Sequence, residues 1–168
     1  MAGLESTGYE HSRADLFVRR PWVLCPGARA RPLDLERAEL LVNACGAERL
    51  WLAAADHDRA VAAISHLPLV VAAALVATVS GAEDWPLAER LAAGGWLSAT
   101  RLARGDVTMG AGIAATNAPE LARRVRSLRG ELDDWLADLE ETPDDPAATA
   151  MRIEARLATA RRTLAAGA

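Results

Sequence analysis

The chain has no lysine: all 19 of its basic residues are arginine. Alanine is abundant as well, and together we read these as coding bias without functional weight. Positive charge is short overall. The net charge of -4 excludes a nucleic-acid partner, because neutralising phosphates takes a basic surface. Cysteine is scarce too, with Cys25 and Cys45 lacking both CxxC spacing and histidine neighbours. That excludes a disulfide framework or a cysteine metal site and predicts two reduced, buried thiols. The first twenty residues carry Glu5, Glu10, Arg13 and Asp15 and no apolar run, so no secretory signal is expected. No GxGxxG, Walker, HExxH or Ser-His-Asp pattern occurs. Gly94-Gly95 is not a phosphate loop, since it follows a helical stretch rather than a strand and lacks the spaced third glycine.

What is present is apolar surface in long runs. The 168 residues, 51% apolar, suffice for one domain or slightly more. The longest run, Asp56 to Val79, is apolar on nearly every face and would make a helix about 36 Å long. Such a helix has to be buried on several sides, at the centre of a bundle or a dimer. Its apolar part has about the length of a membrane span. It is mostly alanine, however, and contains Ser65, His66 and Pro68, so no membrane partner is expected and the chain reads as soluble and cytoplasmic. Pro68 lacks an N–H and its ring clashes with the carbonyl of Ile64, which predicts a kink there.

Upstream, residues 1–15 read as loop. Trp22 to Cys25 is a short apolar run closed by Pro26 and Gly27, a strand signal. Asp34 reads as the N-cap of a helix carrying Leu35, Ala38, Leu41, Val42 and Cys45, with Gly46 as its C′ residue. Leu50 to Ala54 is a second strand candidate. Strand, helix, strand with short connections is a βαβ unit with parallel strands. Two parallel strands alone are marginal, so residues 1–55 look like the end of a larger α/β domain. Downstream, nothing reads as a further strand. Asp84 opens a short helix stopping at Gly94-Gly95. Asn117, Pro119 and Glu120 resemble a capping box before a stripe of Leu121, Val125, Leu128, Leu132, Trp135 and Leu139. A break at 142–146 precedes a last helix with Met151, Leu157 and Leu164. The fold class is therefore mainly α, an all-helical domain preceded by a partial α/β segment.

Few residues offer chemistry. His11 lies in the N-terminal loop. His57 sits among Asp56 and Asp58 at a helix start, where the helix dipole already explains the acids. Ser65 and His66 stand mid-helix beside the expected kink. They could satisfy a freed carbonyl or face a ligand, and residue types alone leave both open. Arg101 follows Gly94, Gly95 and Trp96, where a guanidinium could pair bidentately with a carboxylate or simply lie on the surface.

Three segments in order, MAGLESTGYEHSRADLFVRRPWVLCP, DHDRAVAAISHLP and GGWLSATRLA, resemble the prephenate dehydrogenase family. The resemblance runs from residue 1 to about residue 140. It implies a Rossmann remnant at residues 1–55 and a helical dimerisation and substrate domain at 56–168. The implied activity is NAD- or NADP-dependent oxidative decarboxylation of prephenate, or of arogenate in some relatives, towards tyrosine. Residue by residue, Glu5 matches an acidic residue at the cleft mouth. Ser65 and His66 match a substrate-facing Ser-His pair, and Gly94 and Gly95 a glycine turn. Arg101 matches the arginine that binds a substrate carboxylate. Leu69 stands where the family motif closes with histidine, and Leu97 and Ser98 replace charged residues. The family's catalytic histidine would precede Met1, so no catalytic residue is expected among these 168, and the nucleotide loop is absent from them. The resemblance implies the C-terminal two-thirds of such an enzyme, inactive alone and homodimeric through its helices. The alternatives are a non-catalytic helical module acting as a binding or regulatory partner, and one half of a split enzyme.

Overall fold

The structure, a computed structural model, describes residues 8–141 and 144–166. Glu5 therefore lies outside the described residues. The described residues are mainly helical with two short strands, as the sequence pattern predicts. It divides into two compact units, Met1–Leu121 and Ala122–Ala168.

The first unit begins with the expected βαβ arrangement. Strand β1 (Pro21–Leu24) pairs in parallel with β2 (Glu48–Trp51), Trp22 opposite Arg49 and Val23 opposite Leu50, with helix α1 (Pro32–Ala44) between them. The second strand starts earlier than its apolar run. Every residue of β2 is exposed, so the ladder to β1 defines the strand and burial does not. Leu52 N–H closes the ladder on Leu24 O, and Ala54 is already helical. Val42 of α1 is the largest fully buried side chain among the described residues. Phe17 stacks on Trp22 at 5.0 Å between ring centroids.

The caps of α1 differ from expectation at one end only. Asp34 stands one turn inside the helix, where its carboxylate accepts from the Arg31 N–H (3.3 Å) and guanidinium (2.9 Å). Pro32, with no N–H to lose, takes the first helical position. At the far end Gly46 has φ +66°. Its N–H donates to Asn43 O, and Ala47 N–H donates to Val42 O, the two bonds of a Schellman cap. A methyl group at Gly46 would sit 3.5 Å from Val18 Cγ2, ordinary contact, so the cost of Gly46→Ala is conformational. It should lower stability by about 1 kcal/mol, read by thermal or urea unfolding. An unchanged midpoint would show that the cap does not hold the turn.

The central helix runs without interruption over Ala54–Ser80. It comprises α2 (Ala54–Val61), a π-turn (Ala62–His66) and α3 (Leu67–Ser80). The expected distortion at Pro68 takes the form of this π-turn. Leu67 N–H reaches back five residues to Ala62 O, so the widened turn lies directly before the proline, where the ring would crowd an α-register carbonyl. Val61, Ala62 and Ala72 are its buried residues. Only 17% of its most apolar 18-residue window is buried, and Ile64 is 69% exposed. The helix is thus apolar all round but covered on one side within the single chain. By length and composition it could cross a membrane.

Helices α4 (Trp85–Leu91) and α5 (Gly94–Ala99), a 3-10 turn (Arg101–Arg104) and α6 (Val107–Thr116) complete the first unit, with the start of α7 (Ala118–Glu140). The glycine pair opens α5 instead of ending α4. Helix α6 was not anticipated, since its two glycines blur the apolar period. Asp106 caps it, accepting from Met109 N–H at 2.6 Å. Gly110 lets α6 approach the central helix: a Cβ there would lie 3.4 Å from Leu69 Cδ2. Leu69 is therefore packed against α6.

The second unit holds the rest of α7 and α8 (Pro146–Ala166). Asp145 starts α8, its carboxylate accepting from the N–H groups of Ala147 (3.1 Å) and Ala148 (3.0 Å). Arg156 pairs with Asp138 and lies over the Trp135 ring at 5.9 Å. The predicted stripe of α7 is real but largely uncovered, with Val125, Leu132 and Leu139 exposed.

Candidate functional site

The π-turn fixes where Ser65 and His66 stand. Both are half-buried, as the last two residues of the widened turn. π-turns of this kind are frequent at functional sites because they rotate side chains out of the helical repeat. His66 meets Asn117, the residue between α6 and α7, whose side-chain nitrogen lies 3.3 Å from His66 Nδ1. The same nitrogen donates to the backbone carbonyl of Asp58, 2.8 Å away and 59 positions earlier in sequence. Asn117 is 8% exposed. His57 lies near, with Nδ1 3.0 Å from Asp58 Oδ1.

Burial holds the His66 pKa below the ordinary value of 6.5, the charge of His57 pushes it the same way, and Asp58 opposes them. The balance favours the neutral imidazole over the imidazolium. A histidine with a lowered folded pKa binds fewer protons than in the unfolded chain, so stability rises with pH across that interval. The contribution is complete above pH 6.5 and is lost as pH falls through the folded pKa. His66→Gln should flatten this part of a stability-against-pH profile measured by urea unfolding; an unaltered profile would remove His66 as its source.

Gly94 and Arg101 belong to neighbouring elements. Gly94 opens α5, and a Cβ on Gly94 or Gly95 would meet no atom of the chain, so the backbone there faces open space. Thr100, 2% exposed, ties α5 to the following turn through Oγ1 donating to Trp96 O at 2.8 Å. Arg101 is exposed at the first position of that 3-10 turn, which packs on α3. Between α3, α4, α5 and the turn lies a cavity of about 390 Å³, bordered by Val76, Trp85, Trp96, Thr100 and Arg104. Trp85 and Trp96 stack there at 5.6 Å.

The sequence missed Asn117, which it assigned to a helix start. The helix does begin at Ala118, but the Asn117 amide bonds Asp58 and approaches His66. No local pattern announces a bond across 59 positions. The cysteines need a correction as well. Both are free, but Cys25 is exposed and Cys45 only half-buried, because the strand ends at Leu24 and leaves Cys25 in the loop.

A dinucleotide does not fit the turn after β1. The segment before α1 contains one glycine, Gly27, and the Asp34 carboxylate already occupies the α1 N-terminus, where a phosphate would be repelled.

Residues 53–152 match the family described as "Prephenate dehydrogenase, dimerization domain". Prephenate dehydrogenase of Bacillus subtilis is 28% identical over 142 residues, which is 84% of this chain and 36% of that protein. The chain thus spans little more than a third of that relative's length. The crystal structure of Synechocystis arogenate dehydrogenase superposes with a TM-score of 0.76 at 30% identity, covering 97% of this chain and 59% of that one. Prephenate dehydrogenase from A. aeolicus, in complex with hydroxyphenyl propionate and NAD+, gives a TM-score of 0.78 at 23% identity over 96% of this chain and 56% of that one, a likeness of fold. The family match covers more than half of the chain, and the Ser65-His66 turn, the glycine pair and Arg101 all fall inside it; the chain belongs to the prephenate dehydrogenase family.

Proposed function

We propose that this chain supplies the substrate-orienting and dimer-forming part of a cytoplasmic prephenate or arogenate dehydrogenase. In that role it holds the dienyl dicarboxylate while hydride passes to NAD or NADP bound by other residues. The observation that carries the reading is the half-buried His66, set beside Ser65 on a π-turn inside the family-matched segment. Neutral imidazole and serine hydroxyl can donate to a carboxylate or keto oxygen without bringing a charge into the half-buried turn. Arg101 supplies the cation for a substrate carboxylate. Gly94 leaves room for a ligand to approach the backbone of α5. Glu5 joins the set on the resemblance alone. These residues orient the substrate and leave the hydride acceptor to other residues, because the turn after β1 does not suit a nucleotide.

The domain boundary at residue 55 belongs to the same reading, with 56–168 as the helical part. A second copy covering the central helix accounts for an apolar surface that one chain leaves open. Calorimetry of the 168-residue chain with prephenate should show one site per chain and no turnover on adding NAD+. Absence of binding would overturn the substrate role and favour the non-catalytic helical module.

A further inference from the structure

We infer that Asn117 is a positioning residue that fixes the tautomer of His66 and so decides which imidazole nitrogen can reach a ligand. The oxygen and nitrogen of the Asn117 amide are told apart by their partners. The Asp58 backbone carbonyl can only accept. The Asn117 atom 2.8 Å from it is therefore the NH2 group. That same nitrogen lies 3.3 Å from His66 Nδ1. Its two hydrogens serve two acceptors, the Asp58 carbonyl and Nδ1, which has to carry a lone pair. A neutral imidazole with a bare Nδ1 carries its proton on Nε2. His66 is thereby held as an Nε2–H donor.

The other surroundings agree with this assignment. The titratable neighbours acting on His66 are His57 and Asp58, both on α2. The Asp58 side chain is engaged with His57 Nδ1 and leaves the amide to face His66. Protonating Nδ1 would turn an N–H toward the NH2 group, so the amide opposes the imidazolium, in the same sense as burial. Asn117 bridges the junction of α6 and α7 to Asp58 in α2 while touching the π-turn, and it is itself buried. The ligand suited to the free Nε2–H is an acceptor, a carboxylate or carbonyl oxygen. This part of the inference rests on the reading of His66 as ligand-facing.

The test uses the whole chain labelled with 15N-histidine, in which His11→Gln and His57→Gln assign the three imidazoles. Long-range 1H–15N correlation above pH 7 should show His66 protonated at Nε2 and bare at Nδ1. Asn117→Asp, isosteric but without the donor, should move the proton to Nδ1 and raise the His66 titration midpoint by about one pH unit or more. A merely structural asparagine would leave the tautomer unmoved. Wild-type His66 protonated at Nδ1, or exchanging between tautomers, overturns the inference without need of the variant, should Asn117→Asp fail to fold. Hydroxyphenyl propionate is then added. A shift confined to His66 Nε2–H supports both positioning and ligand contact. A fixed tautomer with no ligand shift supports the positioning role and overturns the ligand reading alone.

Discussion

Replacing Arg101 with alanine is expected to raise the dissociation constant for hydroxyphenyl propionate by about 10- to 100-fold. A hydrogen bond to a charged group contributes about 1.5–3 kcal/mol, and each 1.4 kcal/mol is a factor of about ten. Arg101 is exposed at the start of its turn, so urea unfolding of the variant beside wild type separates a loss of binding from a loss of stability. The turn is held by neighbours, with Thr100 bonded to Trp96 O and the 3-10 segment packed on α3. Arg101→Lys should recover only part of the affinity, since it keeps the charge and loses the planar fork. Calorimetry on the three proteins checks this. An unchanged dissociation constant in Arg101→Ala would remove Arg101 from the site.

The second large effect concerns association. Val71 lies on the open side of the central helix, 38% exposed, on the same helix as the more exposed Ile64. In the single chain, Val71→Asp places a carboxylate at an accessible position and should leave the helical content unchanged. In a two-fold dimer that covers this face, the same carboxylate is buried twice, once from each copy. Each unpaired buried charge costs several kcal/mol. Light scattering at micromolar concentration should accordingly find wild-type chain as a dimer and Val71→Asp as a monomer. A wild-type monomer, or a variant still dimeric, would show that a second copy does not cover this face.

Local signals specify some elements of this chain and long-range pairing specifies others. The βαβ unit was legible because its punctuation is local: Gly46 sits at positive φ in a Schellman cap, as the C′ position demands. The end of β1 and the start of β2 were less so, since pairing between Trp22 and Arg49 fixes them and no single strand encodes its register. The central helix was legible from its apolar run, and Pro68 announced a distortion. That the distortion would be a π-turn starting at Ala62 depends on backbone bonding that the residue types do not reveal. Helix α6 escaped because Gly110 and Gly112 interrupt the apolar period, although Gly110 serves close packing on Leu69. Of the candidate site, Ser65 and His66 stood out as polar residues in an apolar helix. Asn117 did not, because a polar residue before a helix is adequately explained as a cap until its partner 59 positions away is seen.

The central claim is that the π-turn presents Ser65 and His66 to a substrate-like acid. The most direct measurement is a titration of the 15N-histidine-labelled chain with hydroxyphenyl propionate, followed at the three imidazoles. The account predicts a saturable shift at His66, with His11 unmoved and the shift weakened in Arg101→Ala. Saturating ligand that leaves His66 unchanged would contradict it.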